Sequence, residues 1–133
     1  MKTVRILLFF FISIVFLSSC HKEDSVTDPV NQDAYLSIIV GGDFQSDLVK
    51  VALNNDVLVD DTMLTNYSIA AAWTSGLKKM KAGQKTILAE MGNFNILASQ
   101  EFTLKDTLTV IVNYDRASKQ LKFNFYKGFL LLY

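Results

Sequence analysis

The sequence predicts an all-β fold, an antiparallel β-sandwich of about eight strands formed by residues 33–133. Short apolar runs recur with a period of two, which is typical of strands that bury one face. Turn-forming residues separate these runs at short intervals. With one exception in the middle of the chain, no segment has the spacing of an amphipathic helix, so strands account for nearly all of the pattern.

The first predicted strands come from alternating runs in the N-terminal half of the domain. Residues 34–40 alternate in this way and form the first strand. Residues 49–53 and 57–59 form a hairpin around Asn54-Asn55-Asp56, residue types that tolerate positive φ in tight turns. The Asp60-Asp61 pair is expected to end this hairpin.

The segment 66–83 is the exception, because two patterns overlap in it. Its large apolar residues from Ile69 to Met80 recur at spacings of four, four and three, which favours a helix. Ser75-Gly76 interrupts this stripe, and a glycine inside a helix costs about 1 kcal/mol. We therefore predict two strands around a Ser75-Gly76 bend, with one helical segment as the alternative.

The C-terminal half has the most regular alternation. Gly92-Asn93 is predicted to be a two-residue type II′ turn because glycine stands first. The predicted strands of this half are 87–91, 94–104, 107–114 and 120–126. Such a domain fits an immunoglobulin-like or a transthyretin-like sandwich, and no sequence signature chooses between them.

The N-terminus has the organisation of a secretory signal peptide. Lys2 and Arg5 precede an apolar run at 6–17, which is too short for a membrane-spanning helix of ~20 residues. Ser18-Ser19 then leads to Cys20, the only cysteine. The predicted organisation is a signal peptide at 1–19, a flexible tether at 20–32 and the sandwich at 33–133.

Leu17-Ser18-Ser19-Cys20 resembles the lipobox of bacterial lipoproteins. The resemblance implies that the Cys20 thiol carries a diacylglycerol, that the chain is cleaved before Cys20, and that the new amino group is acylated, for example with palmitate. A lone cysteine agrees with this, since secreted proteins usually pair their cysteines. An ordinary secretory signal that happens to contain a cysteine is the alternative.

Lys22, Glu23 and Asp24 follow Cys20 and resemble the surface-export signal of Bacteroidota lipoproteins. The resemblance implies an outer-membrane lipoprotein whose domain faces the cell exterior, and the domain itself resembles small β-sandwich lipoproteins. A plain charged tether is the alternative reading of these three residues. The membrane, reached through the lipid on Cys20, is the first partner implied.

Residue types that perform catalysis are scarce. His21, the only histidine, lies beside Cys20 in the tether, where no core can orient it. Glu90 and Glu101, the only glutamates of the domain, could form a glycosidase pair only at separations of roughly 5 to 9.5 Å. We therefore predict no catalytic residue.

Metal and cofactor sites are not predicted either. Asp56, Asp60 and Asp61 cluster in sequence, but their spacing does not match an EF-hand calcium loop. Carboxylates are common in turns, which accounts for this cluster without a metal.

Aromatic and lysine side chains are the candidates for ligand binding. Trp73, Tyr126 and Tyr133 could stack on a glycan or anchor a protein, as could Tyr67 and Phe129. The lysine candidates are Lys78, Lys79 and Lys81. Core packing of Trp73, and lysines that protect an edge strand from pairing, are the structural alternatives.

The charge balance excludes one class of partner. Loss of Lys2 and Arg5 with the signal peptide leaves eleven basic against thirteen acidic side chains, whereas nucleic-acid-binding proteins carry a basic excess. The sequence thus predicts a non-catalytic binding or accessory module for a protein or a glycan. A small carboxylate-based hydrolase and a periplasmic enzyme inhibitor are the alternatives.

Overall fold

The computed structural model describes residues 32–131 of the chain. Cys20, the motif Lys22-Glu23-Asp24 and Tyr133 lie outside the described residues, as does the predicted signal peptide at 1–19. No helix within 32–131 is long and apolar enough to span a membrane. The strands are β1 (Asp33–Gly42), β2 (Gln45–Leu53), β3 (Asp56–Leu64), β4 (Ala71–Lys81), β5 (Gly83–Met91), β6 (Ile96–Leu104), β7 (Thr107–Asp115) and β8 (Gln120–Lys127).

The strands form two four-stranded sheets, which confirms the all-β sandwich. Sheet A has the order β4-β1-β7-β8, and sheet B has the order β3-β2-β5-β6. All neighbours are antiparallel except β1 and β7, which run parallel. An immunoglobulin fold pairs its first two strands in one sheet, whereas β1 and β2 here lie in different sheets. The strand order is therefore not that of an immunoglobulin fold.

The hydrophobic core lies between the sheets and follows the predicted alternation. On β1, the side chains of Leu36, Ile38 and Val40 are at most 2% exposed. Sheet B meets them with fully buried residues of its two central strands, among them Val51 and Ile87. One apolar residue at every second position is thus sufficient to place each central strand.

Strand β1 is buried on its outer face as well, contrary to the one-sided burial expected from alternation. Ser37 and Ile39 on that face are 0% and 2% exposed. The chain after β8 turns back here: the Thr109 hydroxyl donates to the Gly128 carbonyl oxygen (2.8 Å) and accepts from the Leu130 amide (3.3 Å). The buried Ser37 hydroxyl oxygen has no hydrogen-bond partner among residues 32–131.

The ambiguous middle segment is one strand with a β-bulge, so the helical alternative is wrong. Asn66 forms a β-bridge with Ala71, residues 67–70 form a turn between them, and β4 then runs continuously through Ser75-Gly76. Its register against β1 shifts at that point, and Gly76 has a φ of +64°. The Ile38 amide donates to the Ser75 hydroxyl (2.9 Å) in place of a ladder bond. The prediction of two strands around a Ser75-Gly76 bend is therefore also wrong, because the bulge deforms the edge strand without dividing it.

Of three predictions about turns and strand ends, the structure confirms one. Asn54 and Asn55 adopt φ values of 49° and 72°, which confirms the first tight turn. Asp60-Asp61 does not end the hairpin, because exposed carboxylates are tolerated on an edge strand and β3 continues to Leu64. The β5–β6 turn spans 92–95 rather than two residues, with Asn95 at positive φ.

The strand directions gather the connections at two ends of the sandwich. We call the end where Gln32 leads into β1 the tether pole; it also holds connections 54–55, 82 and 105–106. The opposite end is the loop pole, with connections 43–44, 65–70, 92–95 and 116–119. Any site built from the second set therefore lies at the opposite end of the domain from Gln32.

Candidate functional site

The loop pole brings together four side chains that are far apart in sequence. Asp43 comes from the β1–β2 connection, Tyr67 from β3–β4, Phe94 from β5–β6 and Arg116 from β7–β8. Each contacts at least one of the others, directly or across a shared ring, as the contacts below show. We call this set the loop-pole cluster.

Arg116 is held in place by two carboxyl-bearing residues. Its Nη2 donates to the Oδ2 of Asp47, and its Nε donates to the backbone oxygen of Asp43 (3.2 Å). The Asp47 side chain is only 5% exposed, while that of Arg116 is 29% exposed. Asp47 also accepts from the Gln45 amide (2.8 Å). Because a buried carboxylate without its cation is costly, this pair fixes the guanidinium at the rim of the domain.

A stack of aromatic rings supports the guanidinium from below. Tyr114 is 3% exposed and stacks on Phe44 and Phe94, with ring centroids 5.6 and 6.3 Å apart. The Cζ of Arg116 lies 5.6 Å from the Tyr114 centroid and 5.9 Å from the Phe94 centroid. Phe94 remains 40% exposed. Stacking on the buried Tyr114 ring therefore determines the orientation of Phe94, and the rest of the Phe94 surface remains accessible to a ligand.

Tyr67 joins the cluster through Asp43. The Tyr67 hydroxyl donates to Asp43 Oδ1 (2.8 Å), which also accepts from Gln45 Nε2 (3.2 Å). This hydrogen bond to a carboxylate raises the pKa of Tyr67 above its ordinary value. Tyr67 is 71% exposed, and the hydrogen bond to Asp43 gives its accessible ring a defined position.

The backbone under the cluster depends on Gly42 and Thr65. Gly42 has a φ of +109°, and a Cβ there would lie 2.3 Å from the Tyr114 carbonyl oxygen, so only glycine allows this approach. The Thr65 hydroxyl donates to the Gly42 oxygen and accepts from the Phe44 amide (2.9 Å). These bonds tie the β3–β4 connection to the β1–β2 connection and position Tyr67 relative to Asp43.

Chemically, the cluster offers the features of a recognition surface. Phe94 and Tyr67 give apolar faces, Arg116 gives charged donors and Asp43 gives an acceptor. Such combinations suit a sugar ring, which has an apolar face and hydroxyl groups, or a protein partner with an inserted side chain. Arg116 and Phe94 are held by buried neighbours, and Tyr67 by its hydrogen bond to Asp43, so binding would order little that is not already ordered.

The structure does not bring the sequence-predicted site residues into one patch. Trp73 lies on β4 opposite Val40 and packs, half-buried, against the core. Tyr126 is 43% exposed on β8, and two strands of sheet A separate it from β4. Tyr133 lies outside the described residues.

The lysine candidates lie at the opposite end of β4 from Trp73. Lys79 and Lys81 form salt bridges with Asp33 at 2.8 and 3.0 Å. Hydrogen bonds from these ammonium groups, chiefly that of Lys79, lower the pKa of Asp33. Lys78 is exposed on the same edge strand. These lysines therefore belong to the tether pole.

The glutamates proposed for the hydrolase alternative are placed apart. Glu90 and Glu101 lie on neighbouring strands, but Glu90 pairs with Leu97, four positions along β6 from Glu101. Four residues of strand separate their Cα atoms by about 13 Å. Glu101 does not line the depression that Glu90 shares with Lys50 and Asp60, so the two glutamates do not face a common cleft. In the part of the chain that the structure describes, no three His, Cys, Asp or Glu residues form a group that could hold a metal.

A shallow depression of ≈ 360 Å³ lies away from the loop-pole cluster, at the tether pole. Lys105, Asp106 and Lys127 contribute charged side chains to it, and Thr107 lies between them. It is therefore part of a different surface from the aromatic cluster.

No protein-family model matches the chain, and no curated protein is significantly similar to it. The function must therefore be argued from the geometry. Sequence reasoning identified Tyr67 but missed Asp43, Phe94 and Arg116, because residues from four connections converge only in the fold. One signal was present: Arg116 is the only arginine after Arg5, and it lies in a predicted turn.

Proposed function

We propose that this chain is an outer-membrane lipoprotein whose sandwich is a non-catalytic module that binds a protein or a glycan. In this proposal Cys20 carries the lipid, and Lys22, Glu23 and Asp24 direct the domain to the cell exterior. The observation that carries the proposal is the loop-pole cluster, which lies at the end of the domain opposite the tether.

The position and the chemistry of the cluster support binding. A ligand in the surrounding medium would reach the loop pole first, because the tether leaves from the other end. Aromatic side chains and arginine are the residue types that dominate binding energy at protein interfaces, and the loop-pole cluster contains both. Rigid support from Tyr114 and Asp47 keeps them in one arrangement.

The binding test uses the mature chain, residues 20–133 with Cys20→Ser, immobilised on beads. The probes are surface proteins labelled on intact cells and neutral polysaccharide purified from those cells. Phe94→Ala with Tyr67→Ala should reduce capture of the bound probe at least tenfold, since hot-spot aromatics each contribute about 2 kcal/mol or more. Tyr126→Ala is the matched control, because Tyr126 is as exposed as Phe94 but lies on β8.

Two outcomes would overturn the assignment of the site. Equal loss of capture in the Tyr126→Ala control would place the contact elsewhere on the sandwich. Loss of capture on substitution of Trp73 and Lys78, with the loop-pole double variant unaffected, would move the site to β4.

The anchor has its own test. Cys20→Ala should abolish incorporation of a labelled fatty acid, and equal labelling of the variant would contradict the lipobox assignment. Alanines at Lys22, Glu23 and Asp24 should protect the domain from protease added to intact cells. Unchanged digestion would mean that these three residues are only part of a tether.

No specific contact among the described residues favours the alternatives. Glu90 and Glu101 do not line a common depression, so no carboxylate pair for hydrolysis is supported. The periplasmic inhibitor rests on general likeness to other small β-domains and not on a residue of this chain.

A further inference from the structure

The charges of the domain are segregated along its long axis. Residues 32–131 carry equal numbers of basic and acidic side chains. The basic side chains in the half next to the tether pole are Lys78, Lys79, Lys81, Lys85, Lys105 and Lys127. The acidic side chains there are Asp33, Asp56, Glu101 and Asp106. This half has a positive excess, and the half next to the loop pole has the matching negative excess.

The start of the domain is fixed within the positive half. The Ala82 amide donates to the Gln32 carbonyl oxygen (2.8 Å), and Asp33 bridges to Lys79 and Lys81. The tether of about 13 residues before this point spans at most roughly 45 Å. Whatever surface holds Cys20 therefore lies within that distance of these lysines.

We propose that the tether pole is a second membrane contact, at which its lysines bind the phosphate groups of anionic lipids in the membrane that holds Cys20. The depression lined by Lys105 and Lys127 is the part of this surface with room for a headgroup phosphate. The contact orients the domain so that the loop-pole cluster points away from the membrane. The inference rests on the proposed lipid anchor, but binding of the unacylated chain to lipid can be measured without it.

The expected strength follows from the charge of the surface. A lysine near an anionic membrane increases binding about fivefold, and the effect falls off within about 10 Å at 0.1 M salt. Lysines at the loop pole lie beyond that range when the tether pole faces the membrane. Asp33 opposes the attraction, since it neutralises part of the charge of Lys79 and Lys81.

The experiment is co-sedimentation of the mature chain, residues 20–133 with Cys20→Ser, with phospholipid vesicles. The chain should bind vesicles that contain an anionic phospholipid, bind purely zwitterionic vesicles much less, and dissociate as salt is raised. Lys105→Gln with Lys127→Gln should weaken binding by up to roughly 25-fold, about fivefold for each lysine. Asp33→Asn should strengthen it by up to about fivefold.

The matched control is Lys119→Gln with Lys122→Gln, which removes the same charge at the loop pole. It should leave vesicle binding within about twofold of the parent chain, because these lysines lie far from the membrane in the proposed orientation. If the control bound vesicles as weakly as the tether-pole variant, net charge and not the position of the lysines would determine binding. Equal binding to anionic and zwitterionic vesicles would overturn the proposal outright.

Failure of this inference is distinguishable from failure of the proposed function. Bead capture through Phe94 and Tyr67 needs no lipid, so intact capture without vesicle binding overturns only the lipid contact. Vesicle binding without capture overturns only the loop-pole function. Thermal melting of each variant shows that the domain remains folded during both assays.

Discussion

The two ends of this sandwich hold their charged groups in different ways. At the loop pole, Arg116 is paired with an aspartate whose side chain is 5% exposed, and it lies over the Tyr114 ring. At the tether pole, Asp33 is 43% exposed and its lysine partners are 60% exposed. The first arrangement depends on packing, whereas the second depends on charge in solvent.

This difference determines what each end can recognise. Exposed ion pairs contribute about 0–1 kcal/mol and are screened by salt, so the tether pole suits a broad, charged surface. Buried pairs lose several kcal/mol when one partner is removed, so the loop pole keeps one geometry and suits a specific ligand. The proposed function would use the two ends differently, the tether pole at the membrane and the loop pole for the ligand.

Removing the Tyr114 ring, which supports the loop pole, should have the largest effect on the stability of the domain. Tyr114→Ala removes a buried ring between Phe44 and Phe94 and should lower the free energy of unfolding by about 3–5 kcal/mol. Chemical denaturation measures this change. Lys79→Gln at the tether pole should change stability by less than about 0.5 kcal/mol, and a comparable loss there would contradict the contrast between the poles.

Replacing Arg116 should have the next largest effect on stability, because it leaves the buried carboxylate of Asp47 without its cation. Arg116→Met should destabilise the domain by about 2 kcal/mol, below the range for fully buried pairs because Arg116 is 29% exposed. Adding Asp47→Leu should recover part of this loss, since the unpaired charge disappears with it. A double variant less stable than Arg116→Met would show that Asp47 acts through its bond to the Gln45 amide instead.

How much of this arrangement the sequence could predict depends on the range of the interactions. The alternation of Leu36, Ile38 and Val40 predicted β1 because the core faces one side of a strand. The bulge at Ser75-Gly76 broke the alternation of β4, which left its helix-like spacing visible. Burial of an outer face could not be predicted, because the chain after Gly128 covers it only in the folded domain.

The loop-pole cluster shows the same limit at longer range. Arg116 lies 69 residues from Asp47 and 73 from Asp43 along the chain. No local pattern encodes that contact, since it follows from the parallel pairing of β1 with β7. The hairpin at Asn54-Asn55, by contrast, was predicted because its turn residues decide it locally.

A smaller effect tests the packing between the poles. Ser37→Ala removes a buried hydroxyl that has no partner and should leave the domain equally stable or about 1 kcal/mol more stable. Thr109→Val is the matched control, because the Thr109 hydroxyl bonds to Gly128 and Leu130. Its loss should cost about 1–2 kcal/mol, and a reversed order of the two variants would contradict the covered outer face.

Titration should distinguish the poles with shifts of opposite sign. Hydrogen bonds from Lys79 and Lys81 lower the pKa of Asp33 below 3.8, so its stabilising contribution is present above that pH and is lost as the pH falls through the lowered value. The bond to Asp43 raises the pKa of Tyr67 above 10.0, so its contribution is present below pH 10.0 and is lost as the pH rises through the raised value. NMR titration measures both shifts, and Asp43→Asn should return Tyr67 towards its ordinary value. Shifts of the same sign would contradict the assigned contacts.

In the proposed orientation, the tether pole faces the membrane and the loop pole faces away from it. The most direct test attaches a fluorophore at Thr103→Cys or at Ala117→Cys in the acylated protein, in vesicles that carry a quencher in the lipid headgroups. Thr103 and Ala117 are exposed residues near the tether pole and in the loop pole, respectively. We expect strong quenching at position 103 and little at position 117. Equal quenching at both positions, or stronger quenching at 117, would contradict the proposed orientation.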